Sequence, residues 1–179
     1  MTPHVAFLRA INVGGHTVKM DHLRRLFEDL GLTHVSTFIA SGNVLFDPPD
    51  EEPAALEARI ERHLESALGY AVKTFIRPAA ALPGIASTAL AAAPHYTAET
   101  DALHIGFLNA LPTESAWEKL LALQTADDRF YLGERELFWW RHGRVSDSPL
   151  SGNVIEKTLG LPTTLRSITT LQKLAAKSV

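Results

Sequence analysis

An α+β fold is predicted by three features of the 179-residue sequence. Apolar runs of strand length alternate with stripes at three- and four-residue spacing; glycine, proline and Asx residues punctuate them; and the strand and helix order of the first half nearly recurs in the second. The composition, 46% hydrophobic and 21% charged, is that of a globular protein and excludes disordered and collagen-like classes. A chain of this size buries about 70% of its extended surface on folding, enough for a core without metal or disulfide support.

Val5 to Ile11 is apolar on both faces except at Arg9, as expected of a buried central strand. Gly14-Gly15 ends it. Asp21 is placed to cap a helix whose Leu23, Leu26, Phe27 and Leu30 share one face, with Gly31 as its stop. Val35 to Ile39 forms a second, β-branched strand, which Ser41-Gly42-Asn43 turns into Val44-Leu45-Phe46. Pro53 suits the first turn of the next helix, where Leu56, Ile60, Leu64 and Leu68 form a stripe before Gly69. Val72 to Ile76 closes the unit. The order is β-α-β-β-α-β, the ferredoxin-like arrangement.

The second half reads β-α-β-β-α-α. Leu103 to Leu108 is a strand, and Thr113 caps a helix carrying Trp117, Leu120 and Leu121. Arg129–Leu132 and Glu136–Trp140 form a hairpin around Gly133-Glu134, and helices over 150–159 and 168–176 follow. Two tandem ferredoxin-like (βαββα) units packed together, with largely antiparallel sheets, are therefore expected: residues 1–77 and 99–179, joined by an Ala-rich helix or loop at 78–98. The duplication is structural, without visible residue-level repetition. At roughly 75–80 residues, each half is small for an independent domain, so a shared core is expected.

The absence of cysteine excludes thiol catalysis and Cys-based metal sites. A net charge of −3 argues against a bulk electrostatic grip on nucleic acid or an anionic membrane. The apolar stretch behind Met1-Thr2-Pro3-His4 is too short for a signal peptide, and prolines and a glycine interrupt the uncharged segment 78–98. A cytoplasmic protein without membrane contact is the expectation.

Topology points to the candidate site. In a right-handed split β-α-β unit the first two strands end on the same edge. The loop Asn12-Val13-Gly14-Gly15-His16-Thr17-Val18-Lys19 and the turn Ser41-Gly42-Asn43 then share one rim. Glycine frees the backbone to approach a ligand, Arg9 and Lys19 add positive charge, and the following helix start adds N–H donors. Arg9, Asn12, Gly14, Gly15, Lys19, Ser41, Gly42 and Asn43 are thus candidate contacts for a small anionic ligand, phosphate above all. Arg166 joins them if both halves fold together. Turn formation, with Asn43 tying the hairpin and Arg9 paired to a core carboxylate, is the competing explanation.

Those residues also carry a resemblance. Phe7-Leu8-Arg9-Ala10-Ile11-Asn12-Val13-Gly14-Gly15, Val18-Lys19-Met20, Leu23, Gly31 and Thr37-Phe38-Ile39-Ala40-Ser41-Gly42-Asn43-Val44 resemble the signature of an uncharacterised bacterial domain-of-unknown-function family, found as a stand-alone cytosolic protein. The resemblance implies a tandem ferredoxin-like fold and no particular activity. Near the C-terminus the family pattern is Ser-Lys-Leu, then Thr-Thr-Arg-Asn-Trp-Asn-Thr. This chain has Ser148-Pro149-Leu150 and Thr164-Leu165-Arg166-Ser167-Ile168-Thr169-Thr170, without the lysine and the Asn-Trp-Asn core.

Other motifs are weaker. The eight histidines form no metal-ligand spacing, so neither metal nor cofactor is expected; His16 alone is kept as a possible general base or phosphate donor. Nucleotide-binding glycine fingerprints and the Gly-x-Ser-x-Gly elbow are missing. Asp127 and Asp128 alternate to opposite faces, which argues against an acid/base dyad. Ser151-Gly152-Asn153 reads either as a chance recurrence of the 41–43 turn or as a helix start. Phe138 to Arg144 places aromatics beside Arg141, His142 and Arg144, but the RNA-binding ribonucleoprotein motif is absent and one of Trp139 and Trp140 is expected in the core. Two alternatives to a small-ligand site stay open: a protein-interaction or self-association module, and single-stranded nucleic-acid binding.

Overall fold

The computed structural model describes residues 2–178. His4–Leu8 (β1), Met20–Glu28 (α1), Ser36–Phe38 (β2), Asn43–Phe46 (β3), Pro53–Leu68 (α2) and Thr74–Pro78 (β4) build the first unit. Its sheet has the order β2-β3-β1-β4 with every neighbouring pair antiparallel. Because β3 separates β1 from β2, those two run parallel and end on one edge, where Phe7 and Phe38 both face Asn43. Leu23, Leu26 and Phe27 of α1 and Leu56, Ile60 and Leu64 of α2 close over Ala6, Leu8, Val44, Phe46 and Ile76. Each fully buried Leu or Phe side chain contributes roughly 1.5–3 kcal/mol over leaving it exposed. Val5 and Phe7 on the other face of β1 are equally buried, which explains a central strand without alternation.

Residues 79–81 make a short 3-10 turn, and Leu82–Ala92 forms α3. Asp101–Phe107 (β5), Glu114–Leu121 (α4), Asp128–Leu132 (β6), Glu136–His142 (β7), Gly152–Leu159 (α5), Thr164–Ser167 (β8) and Ile168–Lys177 (α6) follow. The second sheet has the order β6-β7-β5-β8, again antiparallel throughout. Leu120, Phe130, Leu137, Trp139, Ile155 and Leu159 form its core. Contacts divide the chain at Leu82 and Pro83, with the residues from Leu174 onward grouped with the first unit. The outer limits of the expected spans, Met1 and Val179, lie outside the described residues.

Four expectations are corrected. β1 stops at Leu8 rather than Ile11, because Ala10 takes a left-handed φ of 57°. Asp21 lies inside the first turn of α1, while Lys19 holds the N-cap position without a side-chain bond. The second half has a strand, β8, between its last two helices. Its buried positions are the polar Thr164 and Arg166, so no hydrophobic alternation betrays it. Residue-level similarity is also present. His4-Val5-Ala6-Phe7-Leu8 and His104-Ile105-Gly106-Phe107-Leu108 occupy matching registers, with Val5 opposite Leu45 and Arg77 and Ile105 opposite Phe138 and Arg166.

The helix signals agree closely with the sequence. Thr113 accepts a hydrogen bond from Ala116 N–H, Ser151 accepts one from Val154 N–H, and α2 starts on Pro53 and ends on a left-handed Gly69. Among the described residues no helix is long and apolar enough to cross a membrane.

Candidate functional site

The rim where β1 and β2 end is built by one asparagine. The Asn12 amide nitrogen donates to the Ala40 carbonyl at 2.8 Å, and its oxygen accepts from the Val18 N–H at 2.6 Å. One side chain therefore clasps the loop after β1 to the β2–β3 turn. Leu8 N–H donates to the Gly42 carbonyl at 2.8 Å. A Cβ on Gly42 would meet Ile11 Cγ2 at 2.8 Å and Leu8 Cβ at 3.1 Å, so glycine is required here both by its φ of 82° and by the closeness of β1.

The backbone of this rim is contorted. Ala10, Gly14, Gly15, Ile39 and Gly42 all have left-handed φ angles. For Ile39, a β-branched residue at φ 51°, that conformation is costly and is held by its surroundings. Alanine and isoleucine carry no sequence mark of such a conformation, which is why Ala10 and Ile39 escaped notice.

A third segment completes the rim. Arg9 N–H donates to the Lys73 carbonyl and the Tyr70 hydroxyl donates to the Ile11 carbonyl, both at 2.8 Å. Burial pushes the Tyr70 phenol above its ordinary value of 10.0, which keeps it a donor. The His16 ring stacks on Tyr70 with centroids 3.8 Å apart and planes 18° from parallel. Tyr70 and Lys73 were missed because nothing in their local spacing marks them; the pairing of β4 with β1 brings them here.

The candidate residues divide into two groups. Gly42 and Asn43 are buried, and the Asn43 amide donates to the Phe38 carbonyl and to Ser41 Oγ. Asn43 ties the hairpin, and Asn12 ties the two loops. Gly14, Gly15, His16, Lys19 and Ser41 are exposed, and the space a Cβ would fill at Gly14 and Gly15 is open. Asp21 is the acidic residue in the first turn of α1. Arg166 belongs to the second unit, where it is buried on β8 and donates to Thr164 Oγ1 at 2.8 Å and the Leu165 carbonyl at 2.9 Å. Burial lowers its guanidinium to about 10.

The aromatic segment of the second unit alternates as a strand must. Trp139 lies in the core and its indole N–H donates to Asp128 at 2.9 Å. Asp128 also accepts from Arg141, Thr125 Oγ1 and Ser148 Oγ, at 2.6, 2.9 and 3.0 Å. Burial alone would raise this carboxyl, yet the Trp139, Thr125 and Ser148 bonds and the Arg141 charge hold it below its ordinary 3.8. This cluster clamps the segment after β7, and both side chains of its ion pair are buried. Among the described residues no group of three or more His, Asp or Glu side chains is placed to hold a metal ion.

Comparison with known proteins adds a family and a fold. Residues 1–138 match the model of the family described as protein of unknown function, DUF1697, and the chain belongs to that family. A solved structure of a conserved bacterial protein from Streptococcus pneumoniae is similar at a TM-score of 0.75 with 20% sequence identity, over 99% of each chain. At that identity the likeness speaks for the fold alone. No curated protein matches the chain.

Proposed function

We propose that this member of the family is a cytosolic protein of two duplicated ferredoxin-like units, binding a small anionic, phosphate-bearing ligand at the rim of the first. The observation that carries the reading is the Asn12 clasp, which holds two loops together through 2.8 and 2.6 Å bonds. Around it stand the exposed residues Gly14 and Gly15, the exposed Lys19 at the start of α1, and His16 held against Tyr70. Backbone N–H groups beside an uncapped helix start, with cationic side chains near them, are the elements that bind phosphate oxygens. In this reading Gly14, Gly15, Lys19 and Ser41 contact the ligand, Arg9 supplies charge, and Asn12, Gly42 and Asn43 shape the rim. Arg166, paired within its own strand, is assigned no contact.

A thermal-shift screen with nucleotides, sugar phosphates and acyl phosphates tests this, because a ligand that binds only the folded state raises its melting temperature. At least one class should stabilise the wild type, and Lys19→Ala should reduce that shift. No shift with any phosphate, or equal shifts in wild type and Lys19→Ala, would refute the reading. One observation favours an interaction surface instead: Val13 and Ile39 are 56% and 49% exposed on this same rim. Light scattering over a dilution series separates the two, since a monomer at all concentrations removes self-association.

A further inference from the structure

The second unit contains a cleft of about 230 Å³ between the end of α3 and the face of β6 and β7. Trp140 and Tyr131 supply its aromatic wall, Ala93, Pro94 and Ala126 its apolar floor, and Arg129 and His95 its exposed polar groups. We propose that this cleft binds a single planar aromatic ring carrying an anionic substituent, with the ring stacked on Trp140 and the anion on Arg129. The site is separate from the first-unit rim, and neither reading depends on the other.

The strand register builds the aromatic wall. Arg129 pairs directly with Trp140 and Tyr131 with Phe138, so Arg129, Tyr131 and Trp140 share one sheet face. Trp139, one residue earlier, points into the core. The sequence thus carries two adjacent tryptophans because each serves a different face.

Trp140 is fixed before any ligand arrives. Its indole N–H donates to the Asp101 carboxylate at 3.1 Å. Asp101, whose side chain is 3% exposed, also accepts from His142 Nδ1, Thr97 N–H and Thr100 Oγ1 at 2.8, 3.0 and 2.9 Å. A carboxylate with four donors around it is saturated and holds the ring plane. Burial works against its ionisation, yet those hydrogen bonds keep it below its ordinary 3.8. Arg129 is anchored in turn by its 2.7 Å bond to the Thr125 carbonyl. The 124–128 loop that supplies this carbonyl is itself tied, with Thr125 N–H to the Asp128 carbonyl and Phe130 N–H to Gln124 Oε1.

Size and charge define the occupant. The volume falls below the roughly 300–1,000 Å³ of sites that enclose drug-sized molecules, so it takes one ring system and not an extended ligand. An indole face favours a planar π system, whose stacking requires no hydrogen-bond pattern. A guanidinium beside the stack selects a carboxylate or phosphate on that ring, which it recognises by charge-assisted hydrogen bonds.

The test is an NMR titration that follows the indole N–H signals of Trp117, Trp139 and Trp140 in the intact chain. Benzoate should shift the Trp140 signal saturably and leave Trp139 unmoved. Benzamide, without the charge, and cyclohexanecarboxylate, without the π face, should each bind about tenfold more weakly, the loss expected for one removed interaction of this kind. Arg129→Gln, a change at an exposed side chain, should bring benzoate to the level of benzamide, and Trp140→Leu, which removes the reporting indole and is therefore followed by titration calorimetry, should abolish binding. The proposal is overturned if Trp140 does not respond, if cyclohexanecarboxylate equals benzoate, or if Arg129→Gln binds benzoate as the wild type does. Tighter binding of a ten-residue oligothymidylate than of benzoate would overturn it in favour of a nucleic-acid strand.

Discussion

The two units share strand order, register and even the His-x-x-Phe-Leu motif of their central strands, yet they connect those strands differently. In the first, eleven residues, 9–19, join β1 to α1, and left-handed backbone recurs at Ala10, Gly14 and Gly15. In the second, six residues, 108–113, join β5 to α4 without one left-handed residue. The short loop shows that the fold does not need the long one. Two of the polar ties differ in the same sense. Asn12 holds open loops on an exposed rim, whereas Asp128 and Arg141 form a buried clamp. Elaboration that the scaffold does not require is the ground on which the first rim is proposed as a binding site, and the second unit offers the comparison for testing it.

The largest expected effect tests the clamp. Asp128→Ala leaves the Arg141 charge buried without its carboxylate and should destabilise the protein by about 3–5 kcal/mol in denaturant unfolding. A loss below about 1 kcal/mol, the worth of a surface pair, would mean that the clamp is not structural. Next comes Gly42→Ala, which combines a left-handed φ with a 2.8 Å approach to Ile11 and should cost about 2–4 kcal/mol. Its counterpart in the other hairpin, Gly133→Ala, has the Phe138 ring and the Glu136 carbonyl as its nearest neighbours, at 3.1 Å and beyond, and should cost less than about 1.5 kcal/mol. Equal losses would break the comparison between the two hairpins.

Asn12→Ala removes both bonds of the clasp and should cost about 1–3 kcal/mol, together with the phosphate-dependent thermal shift. The smallest effect is a pH dependence shared by both units. Burial lowers the pKa of His104 and of His4, at the equivalent position of the first sheet, below the ordinary 6.5. The unfolded chain therefore binds these protons first, so stability is full above pH 6.5 and declines as pH falls below it. His104→Phe should flatten that decline in melting temperature between pH 7 and 5. An unchanged slope would assign it to other groups.

Local chemistry made much of this legible. Pro53, Gly69 and Thr113 act where the sequence indicates because capping needs only neighbouring residues, and Ser151 settles to a helix start. The meeting of the two rim loops also follows from chain order, since a β-α-β-β-α-β path places both strand ends on one edge. What stayed hidden depends on pairing across the chain. β8 buries Thr164 and Arg166 where a periodic strand would bury apolar residues, and Tyr70 and Lys73 join the rim only through the β1–β4 register. Asn43 shows the limit most plainly. Its type and position suit a ligand contact, but its burial and its bond to the Phe38 carbonyl tie it to the hairpin.

The most direct measurement is an amide chemical-shift titration of the intact protein with inorganic phosphate, reading both β-to-α connections at once. Saturable shifts at Gly14, Gly15 and Lys19, with none at Asn109, Leu111 and Thr113, are what an anion-binding rim confined to the first unit predicts. Silence at all six positions, or equal movement in the two connections, would contradict it.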